Sequence, residues 1–326
     1  MNGRIARYLL RRLGQGLVIV AGILVLNFAL LSLAPGDAAE VLAGEAGGAD
    51  PAYLARLRAQ FGLDVPAPQR FLNYALRLAT FDFGFSPRYG VPVSELIFGR
   101  LPATLLLMGA SLALAIGLGI VLGVAAARRA GKPLDEAISF LSLLFYATPL
   151  FWVGLLLMLV FSVRLGWLPT GGMQDLVGNP TGLAWLLDRL RHLVLPSVTL
   201  ALFFVAIYTR LVRASVIEVY TQDYVKLARA KGVSERRVAY GHVLRNALLP
   251  LVTMVGVQVG ALMGGSILVE SVFAWPGLGR LAFEAVAARD QNLLLSILVV
   301  SSVLVVLCNL AVDLLYLRLD PRIELR

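Results

Sequence analysis

The chain contains several apolar runs of the length that crosses a lipid bilayer. An α-helix needs about 20 consecutive apolar residues to span the hydrocarbon core. Because lipid cannot hydrogen-bond to the backbone, such runs must fold as helices inside the membrane. We therefore predict an all-α, polytopic membrane protein with six transmembrane helices. The predicted spans lie near residues 15–33, 103–126, 138–163, 194–216, 247–271 and 292–316.

The composition agrees with this class of protein. Hydrophobic residues make up 59% of the chain and charged residues only 15%, whereas soluble domains contain about 25% charged residues. The net charge of +9 would also suit a protein that binds nucleic acid. The asymmetry of basic residues in membrane proteins produces such an excess by itself. We therefore expect contacts with membrane lipid and none with nucleic acid.

The distribution of basic residues predicts the orientation of the chain. Lys and Arg are dense in the first 12 residues, in 127–137, in 210–246 and in the C-terminal tail, and sparser in the longer segments between them. Since cytoplasmic loops carry this excess, both termini are predicted to be cytoplasmic. The first apolar run is longer than the 7–15 residues of a secretory signal. Residues 1–33 are therefore predicted to be a retained signal-anchor helix.

The first span is followed by a long segment on the outer side. Residues 34–101 are predicted to form short helices near 51–62 and 68–79, where apolar residues recur at helical spacing. The segment is too short for a sizeable independent core. Residues 102–326 are predicted to form the core domain with the other five spans. Pro102 fits the first turn of the second span, where its missing N–H removes no helical hydrogen bond.

Pro149 is expected to change the course of the third span. Proline removes one helical hydrogen bond and kinks a helix, and the carbonyl that it frees inside a membrane needs another partner. The kink has two interpretations. Pro149 lies beside a transport pathway, or it adjusts helix packing.

A glycine stripe in the fifth span predicts close helix packing. Gly256, Gly260 and Gly264 recur at four-residue spacing, which allows a second helix to approach closely. The second helix belongs either to this chain or to a partner subunit at the pathway. Gly119 and Gly123 in the second span show the same spacing, so the pattern is not special to the fifth span.

A basic, polar segment at 217–246 interrupts the core domain on its cytoplasmic side. Thr221 or Asp223 is predicted to cap a short helix, and Gly232 to end it. A helix of about two turns is marginal in water, so it must dock on something. One alternative is anionic lipid, but Asp223 and Glu235 favour a protein groove. One face of this helix is predicted to carry Tyr224, Leu227, Ala228 and Lys231.

The sequence offers no catalytic or metal site. Gly131-Lys132 is followed by Pro133 and lacks the phosphate-binding loop of an ATPase. His192 and His242 are the only histidines, and neither is predicted at membrane depth beside a serine nucleophile. A single cysteine cannot form a disulfide framework or a cysteine metal site. We therefore predict a protein that is not an enzyme.

Several motifs resemble one family of transport proteins. DYVKLARAKGV…RNALLP resembles the cytoplasmic coupling segment of permeases in ATP-binding cassette (ABC) importers of the peptide/nickel subfamily. The wider Glu-Ala-Ala…Gly pattern of permeases is not met literally, because Lys226, Leu227 and Ala228 precede Gly232 at these positions. Further resemblance, in the family's order and over almost the whole chain, comes from RYLLRRL, LAPGDAA, GLDVPAPQRF, RLPATLLL, LGWLPTGG, LPSVTLAL and SVFAWPGLGRL.

The resemblance implies a type I ABC importer permease fold in a bacterial inner membrane. It implies a second homologous permease, two cytoplasmic ATPase chains and a periplasmic substrate-binding protein as partners. ATP and Mg²⁺ would bind to the ATPase chains, and this chain would hold no cofactor. The substrate would be a peptide, nickel or another solute. The residues that would couple this chain to the ATPase are Tyr224, Val225, Leu227, Ala228, Arg229, Ala230, Lys231 and Gly232.

A secondary transporter is the alternative hypothesis. Such proteins are also bundles of kinked helices with polar sites. They usually show two matching halves and ionisable residues at the midplane of the membrane. The sequence shows neither feature, so the alternative would need transport by this chain without any ATPase.

Overall fold

The computed structural model describes residues 2–33, 39, 50–60, 64–175 and 181–319. Most of the LAPGDAA motif and the end of the C-terminal tail lie outside these residues. Contacts group the chain into two units, Met1–Thr104 with Pro276–Leu307, and Leu105–Trp275 with Cys308–Arg326.

The described residues are largely helical. Strands β1 (Phe85–Ser86) and β2 (Val91–Pro92) form a small antiparallel hairpin in which Phe85 is opposite Pro92. Two π-helical stretches occur, Met158–Arg164 and Val238–Leu244. The α-helices are α1 (Asn2–Leu33), α2 (Pro51–Gln60), α3 (Ala67–Ala79), α4 (Val93–Arg128), α5 (Pro133–Ala147), α6 (Leu150–Leu157), α7 (Gly182–Tyr220), α8 (Asp223–Ala230), α9 (Glu235–Arg237), α10 (Arg245–Ala247), α11 (Leu249–Val272), α12 (Leu278–Ala287) and α13 (Gln291–Leu319).

Four helical stretches in the described residues are long and apolar enough to cross a membrane. A fifth candidate is the bent pair formed by α5 and the stretch Leu150–Arg164. Helix α1 covers the whole of the first predicted span. The fold class is therefore confirmed, whereas the count of six spans stays a prediction. The four stretches are Val93–Arg128, Gly182–Tyr220, Glu235–Val272 and Gln291–Leu314.

The third predicted span is two helices and not one kinked helix. Helices α5 and α6 meet at an angle of 107°. Thr148 has an extended backbone (ψ 134°), which is the conformation favoured before proline. Pro149 is the N-cap residue of α6, and the hydroxyl of Thr148 donates to the carbonyl of Leu144 at 2.7 Å. Proline therefore ends one helix and starts the next, so the expectation of a simple kink is wrong.

The first unit has its own apolar core. Apolar side chains between α3 and the first turns of α4 pack against α12 and the start of α13. The buried residues of this core include Phe83, Val93 and Ile97 from the first part, and Leu281 and Leu293 from the two helices. The segment 34–101 is too short to form this core alone. It forms the core together with α12 and α13, which lie far along the chain.

The start of α4 differs from the sequence prediction. The helix begins at Val93, so Pro102 lies inside it and not in its first turn. Proline at this place leaves the carbonyl of Phe98 without its helical donor. The helix tolerates this loss because the residues before Pro102 are held by packing, with Val93 and Ile97 fully buried.

In the second unit, α7 packs against α5, α6 and α11. Glycines allow α4 to approach the same helix: a Cβ at Gly119 would lie 2.6 Å from the Cβ of Tyr208, and a Cβ at Gly123 would lie 2.8 Å from the carbonyl oxygen of Thr209. Real Cβ contacts are longer than this, so only glycine fits. The pair Gly119 and Gly123 is thus a close-packing site within the chain.

An ion pair fixes the beginning of α5 to α7. The guanidinium of Arg213 donates to both carboxylate oxygens of Asp135, at 2.5 and 2.7 Å. The backbone N–H of Gly131 donates to the same carboxylate at 3.0 Å. Asp135 is buried, and the bidentate geometry satisfies both of its oxygens. The turn before α5 is therefore anchored to the helix that leads into the segment 217–246.

Candidate functional site

Helix α8 follows α7 almost without a linker. Gln222, with an extended backbone, is its N-cap residue. The prediction that Thr221 or Asp223 caps this helix is wrong. The hydroxyl of Thr221 donates backwards to the carbonyl of Glu218 at 2.7 Å. Asp223 is the first helical residue, and its carboxylate accepts from Lys226 at 2.9 Å. This hydrogen bond and the charge of Lys226 lower the pKa of Asp223.

Helix α8 ends at a glycine with a left-handed backbone. Gly232 has φ +75°. Its N–H donates to the carbonyl of Arg229 at 2.9 Å, and the N–H of Val233 donates to the carbonyl of Ala228 at 3.2 Å. These two bonds form a Schellman motif. The sequence prediction that Gly232 ends the helix is confirmed.

Gly232→Pro is expected to disrupt the end of α8. Proline cannot adopt φ +75° and has no N–H for the carbonyl of Arg229. A strained backbone of this kind costs about 1–3 kcal/mol. We expect the purified complex to lose most of its substrate-stimulated ATP hydrolysis while the chain still inserts into the membrane.

Gly232→Asn is the matched control for this change, because asparagine tolerates the left-handed region. A Cβ at this position has no described atom within 4 Å. Wild-type hydrolysis in the proline variant, or an equal loss in both variants, would contradict the role of this turn.

Two faces of α8 differ in burial. Val225 is fully buried and Ala228 is 8% exposed, whereas Tyr224 and Leu227 are 42% and 55% exposed. The sequence placed Ala228 on one face with Tyr224 and Leu227, and the structure corrects this placement. The helix uses Val225 and Ala228 to pack on the chain, which leaves Tyr224 and Leu227 directed outwards.

The buried face of α8 packs against α7 and the π-helix Val238–Leu244. In the π-helix, Val238, Ala239 and Val243 are buried. Burial of apolar surface contributes about 25 cal/mol per Å², so this contact provides the tertiary support that two helical turns need. Helix α8 is therefore docked on its own chain.

Polar contacts fix α8 in position. Arg229 donates to both carboxylate oxygens of Glu235, at 2.7 and 3.2 Å, and its guanidinium lies 5.4 Å from the ring centroid of Tyr220. The bond to Glu235 raises the pKa of Arg229. Arg229, which the resemblance assigns to docking, is thus engaged within its own segment. A charge reversal at this residue would disturb α8 itself.

Asn246 also holds α8 in place and was not predicted from the sequence to do so. Its side-chain amide donates to the hydroxyl of Tyr224 at 3.0 Å and to the carbonyl of His242 at 2.8 Å. Asn246 thereby links α8 to α10, the short helix that precedes α11. Its only signal in the sequence is its place in the RNALLP motif, just before the fifth span.

The remaining residues of the proposed coupling set lie at the C-terminal end of α8. Arg229, Ala230, Lys231 and Gly232 are all exposed. In the described part of the chain, Lys231 has no ion-pair partner. The outward surface of α8 thus carries the ring of Tyr224, the side chain of Leu227 and the cation of Lys231, beside the exposed ion pairs Asp223–Lys226 and Arg229–Glu235. This composition suits a protein groove with an apolar floor and an acidic rim.

The residues assigned to the pathway or to helix packing lie in different surroundings. A Cβ at Gly256 would lie 2.8 Å from Cγ1 of Val312, so this glycine allows α11 to approach the end of α13. Gly260, Gly264 and Pro149 are exposed. A Cβ at Gly264, by contrast, would meet nothing within 4 Å.

Metal ligands do not cluster in the described ranges. No group of three or more His, Cys, Asp or Glu side chains there could hold a metal ion. Among the described residues, the candidate functional surface is therefore the outward face of α8.

Comparison with protein families identifies matches over most of the chain. Residues 119–325 match the model described as "Binding-protein-dependent transport system inner membrane component". Residues 5–108 match the model described as "Binding-prot-dependent transport system membrane comp, N-term".

Two relatives are similar over nearly their whole length. The oligopeptide transport system permease protein AppB of Bacillus subtilis is 42% identical over 324 residues, which cover 98% of this chain and 99% of the relative. The di/tripeptide transport system permease protein DppB of Pseudomonas aeruginosa is 38% identical over 331 residues, which cover 97% and 98% of the two chains.

Solved structures share the fold at lower identity. A chain of the inward-facing MetNI methionine ABC transporter matches with a TM-score of 0.56 and 19% identity, over 70% of this chain and 97% of that chain. A chain of an amino acid ABC transporter with histidines matches with a TM-score of 0.52 and 17% identity, over 69% and 94% of the two chains. These matches support the fold that the sequence predicts.

Proposed function

This chain belongs to the family of binding-protein-dependent transport system inner membrane components, and we propose that it forms half of the translocation pathway of an ATP-driven peptide importer. As a member, it is a multi-pass permease subunit of the inner membrane. Its proposed partners are a second homologous permease, two cytoplasmic ATPase chains and a periplasmic binding protein. ATP and Mg²⁺ would bind to the ATPase chains.

The geometry of α8 is the observation that carries this proposal. The helix has a buried face for its own chain and an outward face with Tyr224 and Leu227. An ATPase groove that binds the outward face can move α8 together with its own chain, because Val225 and Ala228 are packed on that chain and Arg229 also pairs with Glu235 of the following segment. The movement is then transmitted to α7 through the contact of Arg229 with Tyr220. It is transmitted to the π-helix Val238–Leu244 through the buried side chain of Val225.

The peptide substrate is proposed from the relatives. AppB is named as an oligopeptide permease and DppB as a di/tripeptide permease. Both cover nearly the whole of this chain, including the described part of the core domain. The family and these names support the ATP-driven hypothesis and give no support to a secondary transporter.

Transport by the reconstituted complex tests the proposed function. Proteoliposomes with both permeases, both ATPases and the loaded binding protein should take up labelled peptide only when ATP is present. The permease pair without ATPases should not take up peptide under a proton or sodium gradient. Uptake without ATPases would show that the chain acts as a secondary transporter. ATP-driven uptake of nickel but not of peptide would refute the proposal that the substrate is a peptide.

The proposed orientation predicts the response of topology reporters. A reporter in 127–137 or after Arg326 should be cytoplasmic, and one in 164–175 should be periplasmic, because basic residues concentrate on the proposed inner side. Paired alkaline phosphatase and fluorescent-protein fusions would measure this. The opposite result at two of these sites would refute the orientation and the cytoplasmic place of α8.

A further inference from the structure

A shallow crevice in the second unit is distinct from the outward face of α8. It lies between α4, the end of α7 and the π-helix Val238–Leu244, and it is open on one side. Its walls are mainly apolar. The residues that line it include Val124, Arg128, Val216, Tyr240, Val243 and Leu244.

The crevice lies at the ends of three candidate membrane spans. Arg128 is the last residue of the span Val93–Arg128, Val216 is close to the end of the span Gly182–Tyr220, and Val243 is near the start of the span Glu235–Val272. All three ends belong to the side proposed to be cytoplasmic. The crevice is therefore expected at the level where acyl chains meet the headgroups of the inner leaflet.

Arg128 provides a cation at the mouth of the crevice. Its guanidinium lies 5.8 Å from the ring centroid of Tyr240, which is 55% exposed. Within the described residues, Arg128 forms no ion pair with a carboxylate. The guanidinium of Arg128 therefore gives the mouth a positive charge that no described carboxylate neutralises.

We propose that this crevice binds one anionic phospholipid of the inner leaflet. The apolar walls would contact the upper part of an acyl chain, and Arg128 would bind the phosphate. Basic pockets between spans on the cytoplasmic side favour such headgroups, and tyrosine is common at this level. A soluble protein partner is less suited, since the walls lie within the ends of the spans. The proposal rests on the proposed orientation, which the topology reporters test separately.

Native mass spectrometry of the whole transporter complex measures this binding. The complex would be exchanged into detergent with palmitoyl-oleoyl phosphatidylglycerol, or with the matching phosphatidylcholine. The wild-type complex should retain phosphatidylglycerol and not phosphatidylcholine. Arg128→Gln should lower the retained phosphatidylglycerol about fivefold, the size expected for one basic residue at a membrane surface.

Two variants control for net charge and for loss of the side chain. Arg129→Gln removes the same charge one residue away, outside the crevice lining, and should retain the lipid. Arg128→Lys keeps the charge and should retain most of it. Equal retention in Arg128→Gln and Arg129→Gln would overturn the proposal. Displacement by inorganic phosphate alone, equal binding of phosphatidylcholine, or no retained lipid in the wild-type complex would also overturn it.

Discussion

Leu227→Asp is expected to abolish the stimulation of ATP hydrolysis by the loaded binding protein. Leu227 is 55% exposed on the outward face of α8, so the change should leave the fold of this chain intact. In the assembled transporter the same side chain would be buried against an ATPase. A carboxylate there would be desolvated without a partner. Substitution of a central contact residue lowers the binding free energy of an interface by at least about 2 kcal/mol. This corresponds to a roughly 30-fold weaker contact between α8 and the ATPase.

Leu227→Met is the control for this substitution, because it keeps the volume and the apolar character. We expect nearly normal stimulated hydrolysis and peptide uptake in this variant. Both variants should insert and purify at wild-type yield. If Leu227→Asp kept wild-type stimulation and uptake, the outward face of α8 would not be the docking surface.

Gly123→Ala is expected to lower the stability of the complex, whereas Gly117→Ala is expected to leave it unchanged or raise it. A Cβ at Gly123 would lie 2.7 Å from the Cβ of Val212 and 2.8 Å from the carbonyl oxygen of Thr209, whereas a Cβ at Gly117 has no described atom within 4 Å. Overpacking of a close interface typically costs about 1–3 kcal/mol. Alanine in place of an exposed helical glycine gains up to about 1 kcal/mol.

Thermal unfolding of the purified complex measures this difference. Gly123→Ala should lower the midpoint and Gly117→Ala should leave it unchanged or raise it. The two glycines lie in the same helix and receive the same methyl group, so helix propensity cancels in the comparison. Equal midpoints for both variants would contradict the close contact between α4 and α7.

The sequence was sufficient to predict the fold class and the end of α8. Apolar runs of spanning length admit few folds, and Gly232 ends α8 through a local backbone conformation. The faces of α8 could not be predicted in the same way. A two-turn helix has few positions, and the π-helix Val238–Leu244 determines which of them is buried. No local sequence pattern predicts that π-helix. Val225 was therefore not recognised as the buried anchor.

The glycine patterns show a related limit. The spacing of Gly119 and Gly123 equals that of Gly256 and Gly260, yet the first pair packs on α7 whereas Gly260 is exposed in this chain. Spacing identifies a surface that a helix can approach, but it does not identify the approaching helix. Similarly, Pro149 predicts a disturbed helix, and the angle of 107° between α5 and α6 depends on the packing of both helices against α7.

The central claim is that the outward face of α8 contacts an ATPase subunit, and site-specific photocrosslinking tests it most directly. A benzophenone amino acid would replace Leu227 in the intact transporter, and separately Arg129, which is exposed on another basic turn. We expect irradiation to join the permease to an ATPase chain at position 227 and to give little adduct at 129. No ATPase adduct at position 227, or equal adducts at both positions, would contradict the claim.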